Sequence, residues 1–295
     1  MNIIEVNGIT KDYGNGKGVF DLSFSIPKGE VFGFLGPNGA GKTTTIRCLM
    51  GFLHPDKGFC KIHGSDCFNK APSIHKSLGY LPGEIAFMDD LTGMQFIRFM
   101  AELNQLKDMS RANELIELFS LDTRGKIKKM SKGMKQKLGI ICALMHQPEV
   151  LILDEPTSGL DPLMQHQFQQ LLLDEKSKGT TILLSSHIFE EIDRTCDRAA
   201  ILREGHLVTI EEMATLKQTK RKMFVITLNS PEAAKTFAQE PLPIHEIVGN
   251  QVSIAVQGEL TPLIHALNRH PVVDMDVTGG SLEELFMQYY GGDEQ

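Results

Sequence analysis

No run of apolar residues in this sequence approaches the roughly 20 needed to cross a bilayer; the longest candidates are short pieces such as Ile140-Ile141-Cys142-Ala143-Leu144-Met145. The opening residues, Met1-Asn2-Ile3-Ile4-Glu5-Val6, lack both the basic flank and the apolar core of a secretion signal, so a cytoplasmic protein is expected. Basic charge is not in excess. A formal net charge of −7 at pH 7 argues against a dedicated nucleic-acid binder, whose phosphate contacts need clustered Lys and Arg. The five cysteines (Cys48, Cys60, Cys67, Cys142 and Cys196) are odd in number, scattered, and never form a C-x-x-C pair. That pattern indicates neither a zinc site nor a disulfide framework, and the cysteines read as reduced, mostly buried thiols. There is no internal repeat and no low-complexity segment. The 295 residues suffice for one large domain, or for one of about 200 residues plus a small one.

What is present centres on Gly36-Pro37-Asn38-Gly39-Ala40-Gly41-Lys42-Thr43-Thr44. The apolar run Val31 to Leu35 before it reads as a buried strand, and Thr45 to Met50 after it as a helix ended by Gly51. Strand, glycine loop and helix form the context that the phosphate-loop pattern G-x-x-x-x-G-K-[ST] requires. Gly36, Gly39 and Gly41 let the backbone turn its N–H groups inward, and the helix starting near Lys42 adds its positive end. A polyphosphate fits such a pocket, with the Lys42 ammonium on the terminal phosphates and the Thr43 hydroxyl placed for a magnesium ion.

A second signal narrows the chemistry. Val150-Leu151-Ile152-Leu153 is a fully apolar strand ending on Asp154 and Glu155. Consecutive strand positions point in different directions, so Asp154 can face a magnesium ion through its water shell while Glu155 polarises an attacking water. The guanine-reading Asn-Lys-x-Asp of GTPases is absent, since Asn69-Lys70-Ala71-Pro72 lacks the aspartate.

Around these motifs strands alternate with helices, which implies a mainly parallel sheet flanked by helices with ligand chemistry at the carboxyl ends of the strands. Thr92-Gly93-Met94-Gln95 has the form of a capping box for a helix through Leu103, and Ser110 is expected to cap another through Phe119. Asp161-Pro162 has the N-cap and N1 pattern of a helix running to about Lys178. Leu216 to Lys222 reads as a solvated junction. Beyond it the order strand, helix, strand, strand, helix, strand suggests a small ferredoxin-like layer, and Ser281-Leu282-Glu283-Glu284 a capping box for one last helix.

These residues resemble one family: the ATP-binding cassette ATPases, the motor subunits of ABC transporters. Gly36 to Thr43 is similar to the family's Walker A loop and Val150 to Glu155 to its Walker B strand and catalytic glutamate. Ser158-Gly159-Leu160-Asp161 is similar to its D-loop, His187 to its switch histidine, and Tyr13 to the aromatic that stacks on adenine. Met130-Ser131-Lys132-Gly133-Met134-Lys135-Gln136 resembles the signature, with Lys132 and Met134 in place of the usual Gly and Gln. Where the family has a glutamine after Tyr-Leu-Pro, this chain reads Tyr80-Leu81-Pro82-Gly83-Glu84.

The resemblance implies an α/β P-loop NTPase over residues 1–216, with a helical subdomain at about 85–147, and an α+β ferredoxin-like accessory domain over 222–295. It implies ATP and Mg²⁺, catalysis by Glu155 and His187, magnesium held through Thr43 and Asp154, and nucleotide contacts from Tyr13, Gly36 to Thr44 and Asp161. Ser131 and Gly133 would act on the nucleotide of a second copy of the cassette. The expected partner is a separate membrane-spanning permease, which places the chain on the inner face of the cell membrane as the ATPase of a drug or antibiotic exporter. The alternative is a non-transport cassette acting on ribosomes or DNA, but those generally carry two cassettes or long coiled-coil insertions.

Overall fold

The computed structural model describes residues 1–219, 221–257 and 259–277, and divides into two compact units, Met1–Glu211 and Glu212–Gln295. In chain order, the strands of the first are β1 (Asn2–Asp12), β2 (Gly18–Pro27), β3 (Val31–Leu35), β4 (Lys57–Ile62), β5 (Ser65–Asp66), β6 (Leu78–Leu81), β7 (Val150–Asp154), β8 (Thr181–Ser186), β9 (Arg198–Arg203) and β10 (His206–Glu212). Its helices are α1 (Lys42–Leu49), α2 (Ala71–Ile74), α3 (Gly93–Leu103), α4 (Ser110–Leu118), α5 (Lys132–Leu144), α6 (Pro162–Ser177) and α7 (Phe189–Thr195).

Six strands in the order β10-β9-β3-β8-β7-β6 form one sheet, in which β9, β3, β8, β7 and β6 pair parallel. Its centre is buried on both faces, which is why β3, β7 and β8 read as continuous apolar runs rather than alternating ones. The expectation of a mainly parallel sheet misses a second one: β2-β1-β4-β5, antiparallel throughout. Alternation in β2 buries Val19, Leu22, Phe24 and Ile26 on one face. Phe24 stacks on Phe32 and meets Phe34 edge-on, with ring centroids 5.4 and 4.9 Å away, so the two sheets share one core.

Between β6 and β7 the chain makes α3, α4 and α5, whose inward residues Ile97, Leu115 and Leu138 are fully buried. The Thr92–Gln95 capping box forms, each side chain taking the other's backbone N–H. Ser110 is not the cap of α4. It lies inside the first turn, and the Asp108 carboxylate accepts both its N–H (2.9 Å) and its hydroxyl (2.7 Å). Asp161 caps α6 by accepting the Met164 N–H at 3.0 Å, and Pro162 follows it. Helix α5 lies so close to β6 that a Cβ on Gly79 would sit 2.1 Å from the Ala143 carbonyl oxygen.

In the second unit, α8 (Met213–Thr219) runs through part of the stretch read as a junction, with Met213 and Leu216 buried. There follow β11 (Arg221–Leu228), α9 (Pro231–Phe237), β12 (Ile244–Val248), β13 (Gln251–Gln257), α10 (Thr261–Leu267) and β14 (Val272–Val277). The sheet order is β12-β13-β11-β14, every pair antiparallel, around Phe224, Ile226, Phe237, Ile254 and Leu263. The Ser281 to Glu284 capping box lies outside the described residues. Among those described, no helix is long and apolar enough to cross a membrane. All five cysteines are buried, and burial pushes the thiols up, Cys48 to about 11 and Cys142 and Cys196 to about 12.

Candidate functional site

A cleft of about 790 Å³ opens at the carboxyl ends of β3, β6 and β7 and is lined by the loop residues Pro37 to Thr44. Two glycines shape the loop. Gly41 takes a left-handed φ of 103° as the residue before α1, and a Cβ there would strike Val19 at 2.6 Å. At Gly36 a Cβ would come within 2.6 Å of the Leu202 carbonyl oxygen. Any larger residue at either position distorts the cradle.

Lys42 is almost wholly buried, 5 % exposed, so its ammonium must be paired. It donates to the carbonyls of Gly36 (2.6 Å) and Pro37 (3.3 Å), and lies 3.2 Å from Glu155 Oε1. Its neighbour Thr43 donates its hydroxyl to Asp154 Oδ2 at 2.8 Å. Asp154 ends β7 and is 1 % exposed; its other oxygen accepts the Ser185 hydroxyl from β8.

Glu155 lies one residue past the strand, and its aim comes from something other than strand alternation. Its φ is 51°, a left-handed conformation that costs a non-glycine residue roughly 1–3 kcal/mol and that its surroundings must hold. The Ser185 carbonyl and hydroxyl oxygens do so, accepting the Glu155 N–H at 3.2 and 3.1 Å. Glu155 Oε2 then meets His187 Nδ1 at 2.5 Å, so this one carboxylate bridges Lys42 and the histidine.

Tyr13, 53 % exposed, stands on the rim, in a turn closed by the Tyr13 N–H donating to the Lys17 carbonyl. Tyr80, Gly83 and Glu84 line the wall beside Asp154, and burial, with Asp154 adding to it, pushes the Tyr80 hydroxyl up to about 12. The sequence-predicted residues thus fall into two groups. Tyr13, the phosphate loop, Asp154 and Glu155 converge on one cleft, and His187 reaches it through Glu155. Ser131, Gly133 and Asp161 do not line it. Ser131 caps α5 by accepting the Met134 N–H at 3.2 Å, and Gly133 packs so tightly on the loop after β7 that a Cβ would be 2.7 Å from the Gly159 carbonyl oxygen.

Several residues of the site have no role assigned to them from the sequence. Lys132 lines the cleft and donates to the Ser158 hydroxyl at 2.9 Å; Lys17 and Arg47 add cationic charge to the same wall. Buried Gln136 donates to the Pro156 carbonyl at 2.7 Å and so ties α5 to the segment that follows Glu155. Buried Glu191 accepts hydroxyls from Thr157 and Ser186. Only its place in the first turn of α7 hints at a role, and acids are favoured there in any helix.

A family profile described as "ABC transporter" matches residues 19–158. The bacitracin transport ATP-binding protein BcrA of Bacillus licheniformis is 34% identical over 300 residues, spanning 98% of this chain and 98% of its own. This chain belongs to the ABC transporter ATP-binding proteins. The linearmycin resistance ATP-binding protein LnrL of Bacillus subtilis is 36% identical over 70% of this chain and 68% of its own. A solved ATP-binding subunit of an ABC transporter superposes on this cassette with TM-score 0.67 at 30% identity, covering 73% of this chain and 92% of that one. A dimeric ABC cassette shares the fold, with TM-score 0.65 at 22% identity over 71% and 98% of the two chains. The cassette is therefore a P-loop ATPase of the nucleotide-binding kind its relatives represent.

Proposed function

We propose that this cassette is the ATP-hydrolysing subunit of an exporter of antibiotic-like or drug-like molecules, working on a separate membrane-spanning permease. The observation that carries the reading of the site is the arrangement of Lys42 between loop carbonyls and Glu155, with Thr43 on Asp154 beside it. Full-length similarity to a protein named for bacitracin transport supports the exporter assignment. With no membrane-crossing helix among the described residues, the permease would be a different chain and the cassette peripheral on the inner membrane face.

Arriving phosphates compete with Glu155 for the Lys42 ammonium, and the carboxylate so released takes the proton of the attacking water. His187, next to Glu155, steadies the γ-phosphate. Magnesium suits the donors: a hydroxyl and one buried carboxylate are the hard oxygens it takes from a protein, with phosphates and water filling the rest. Thr43 and Asp154 would hold it, and it would neutralise charge on the β- and γ-phosphates. Ser131, Gly133 and Asp161 stand outside the cleft, so they would serve the nucleotide of a second copy packed head to tail. The second unit, read as a ferredoxin-like layer, would serve packing or partner binding.

Glu84 is exposed on the cleft wall, and Gly83 beside it lies so close to Asp154 that a Cβ would be 3.4 Å from Oδ2. Glu84 or a water it orients would take the coordination that the family's glutamine supplies. Glu84→Ala then raises the magnesium concentration needed for half-maximal ATPase activity; an unchanged requirement counts against it. The exporter assignment is tested by co-purification from membranes. A partner of about six apolar spans is expected to come with the tagged chain and to raise its ATPase activity; a ribosome or DNA recovered in its place would contradict it.

A further inference from the structure

Glu191 is 5 % exposed, and a buried carboxylate persists only where donors satisfy it. Its two oxygens are divided between the loop after β7 and the end of β8. Oε1 accepts the Thr157 hydroxyl, and Oε2 accepts the Ser186 hydroxyl at 2.6 Å. Thr157 stands two residues after Glu155, in the turn where the Ser158 N–H donates to the Glu155 carbonyl at 3.2 Å. Ser186 directly precedes His187, and its oxygen accepts the Ile188 N–H at 2.9 Å, so this hydroxyl clasps the backbone on both sides of the histidine. With its proton committed to Glu191, the Ser186 oxygen is left to accept. The contacts close on themselves: Glu155 to Thr157 along the chain, Thr157 to Glu191, Glu191 to Ser186, and His187 back to Glu155.

We infer that Glu191 is a positioning residue: it locks the loop after Glu155 to the loop bearing His187, so that the two side chains keep their mutual geometry during turnover. This rests on the reading of Glu155 and His187 as the hydrolytic pair. Among the described residues Glu191 bonds Thr157, Ser186 and Thr195 and no residue of the phosphate loop, so turnover is affected and ATP affinity is not.

The test uses the full chain with Thr157→Val, which keeps the shape and removes one donor, Thr157→Ser, which restores it, and Glu191→Gln as a harsher second variant. Thr157→Val lowers kcat about tenfold with KM held within about twofold, a size typical of coupled neighbours. Thr157→Ser recovers wild-type turnover within about twofold. The His187 imidazole proton resonance, assigned by its loss in His187→Ala, shifts in Thr157→Val and Glu191→Gln and stays in place in Thr157→Ser. An unmoved resonance, a KM that rises as far as kcat falls, or failure of Thr157→Ser to rescue overturns the inference. If the wild-type chain hydrolyses no ATP, the reading of the site fails instead, and the resonance still decides whether Glu191 positions His187.

Discussion

Glu155→Gln lowers ATP turnover by about 10²- to 10⁴-fold while leaving ATP binding intact, the range expected when a positioned general base is removed. The substitution keeps the size and hydrogen-bonding reach of the side chain, so the left-handed backbone at 155 and its two bonds from the 155 N–H to Ser185 are undisturbed. What it removes is the negative charge facing Lys42 and His187, and with it the capacity to take a proton from water. An amide competes less well than a carboxylate for the Lys42 ammonium, so arriving phosphates meet less resistance. ATP-bound protein therefore accumulates, and size-exclusion chromatography with ATP shows a dimer that wild-type protein does not retain. Near wild-type hydrolysis by this variant would remove Glu155 from the role of base.

Lys42→Ala abolishes hydrolysis by weakening ATP binding itself, which separates it from Glu155→Gln. The Lys42 ammonium is held at the base of the loop, and its present partners are two backbone carbonyls and one carboxylate. Alanine leaves Glu155 without its cation and brings no donor to the incoming phosphates, so binding and chemistry fall together. A KM raised at least tenfold with activity near background is the expected outcome in steady-state ATPase assays. Activity within twofold of wild type would contradict the placement of the phosphates.

The sequence made legible whatever rests on local chemistry. Strand, loop and helix around Lys42 follow from glycine spacing and a five-residue apolar run, and the Asp161-Pro162 pair marks the start of its helix because capping acts within three residues. Long-range geometry was less legible. The antiparallel sheet of β1, β2, β4 and β5 joins strands separated by the phosphate loop, and nothing in their alternation distinguishes a second layer from edge strands of the first. Serine favours a cap position, but Ser110 lies inside the first turn with its hydroxyl proton and N–H both given to Asp108, two residues earlier. Strand alternation predicts one direction for Glu155, and a single left-handed residue held from β8 sets it instead. Ser185 carries no pattern and Glu191 only that of an acid in a first helical turn; each has a partner 30 or more residues away.

The central claim is that the loop from Gly36 to Thr43 holds magnesium-bound ATP. Calorimetric titration of the purified full-length chain with ATP, in the presence of Mg²⁺, tests it most directly. Saturable binding of one nucleotide per chain, lost in Lys42→Ala, is the predicted result. A wild-type chain that takes up no ATP, or a variant that binds as the wild type does, would contradict the account.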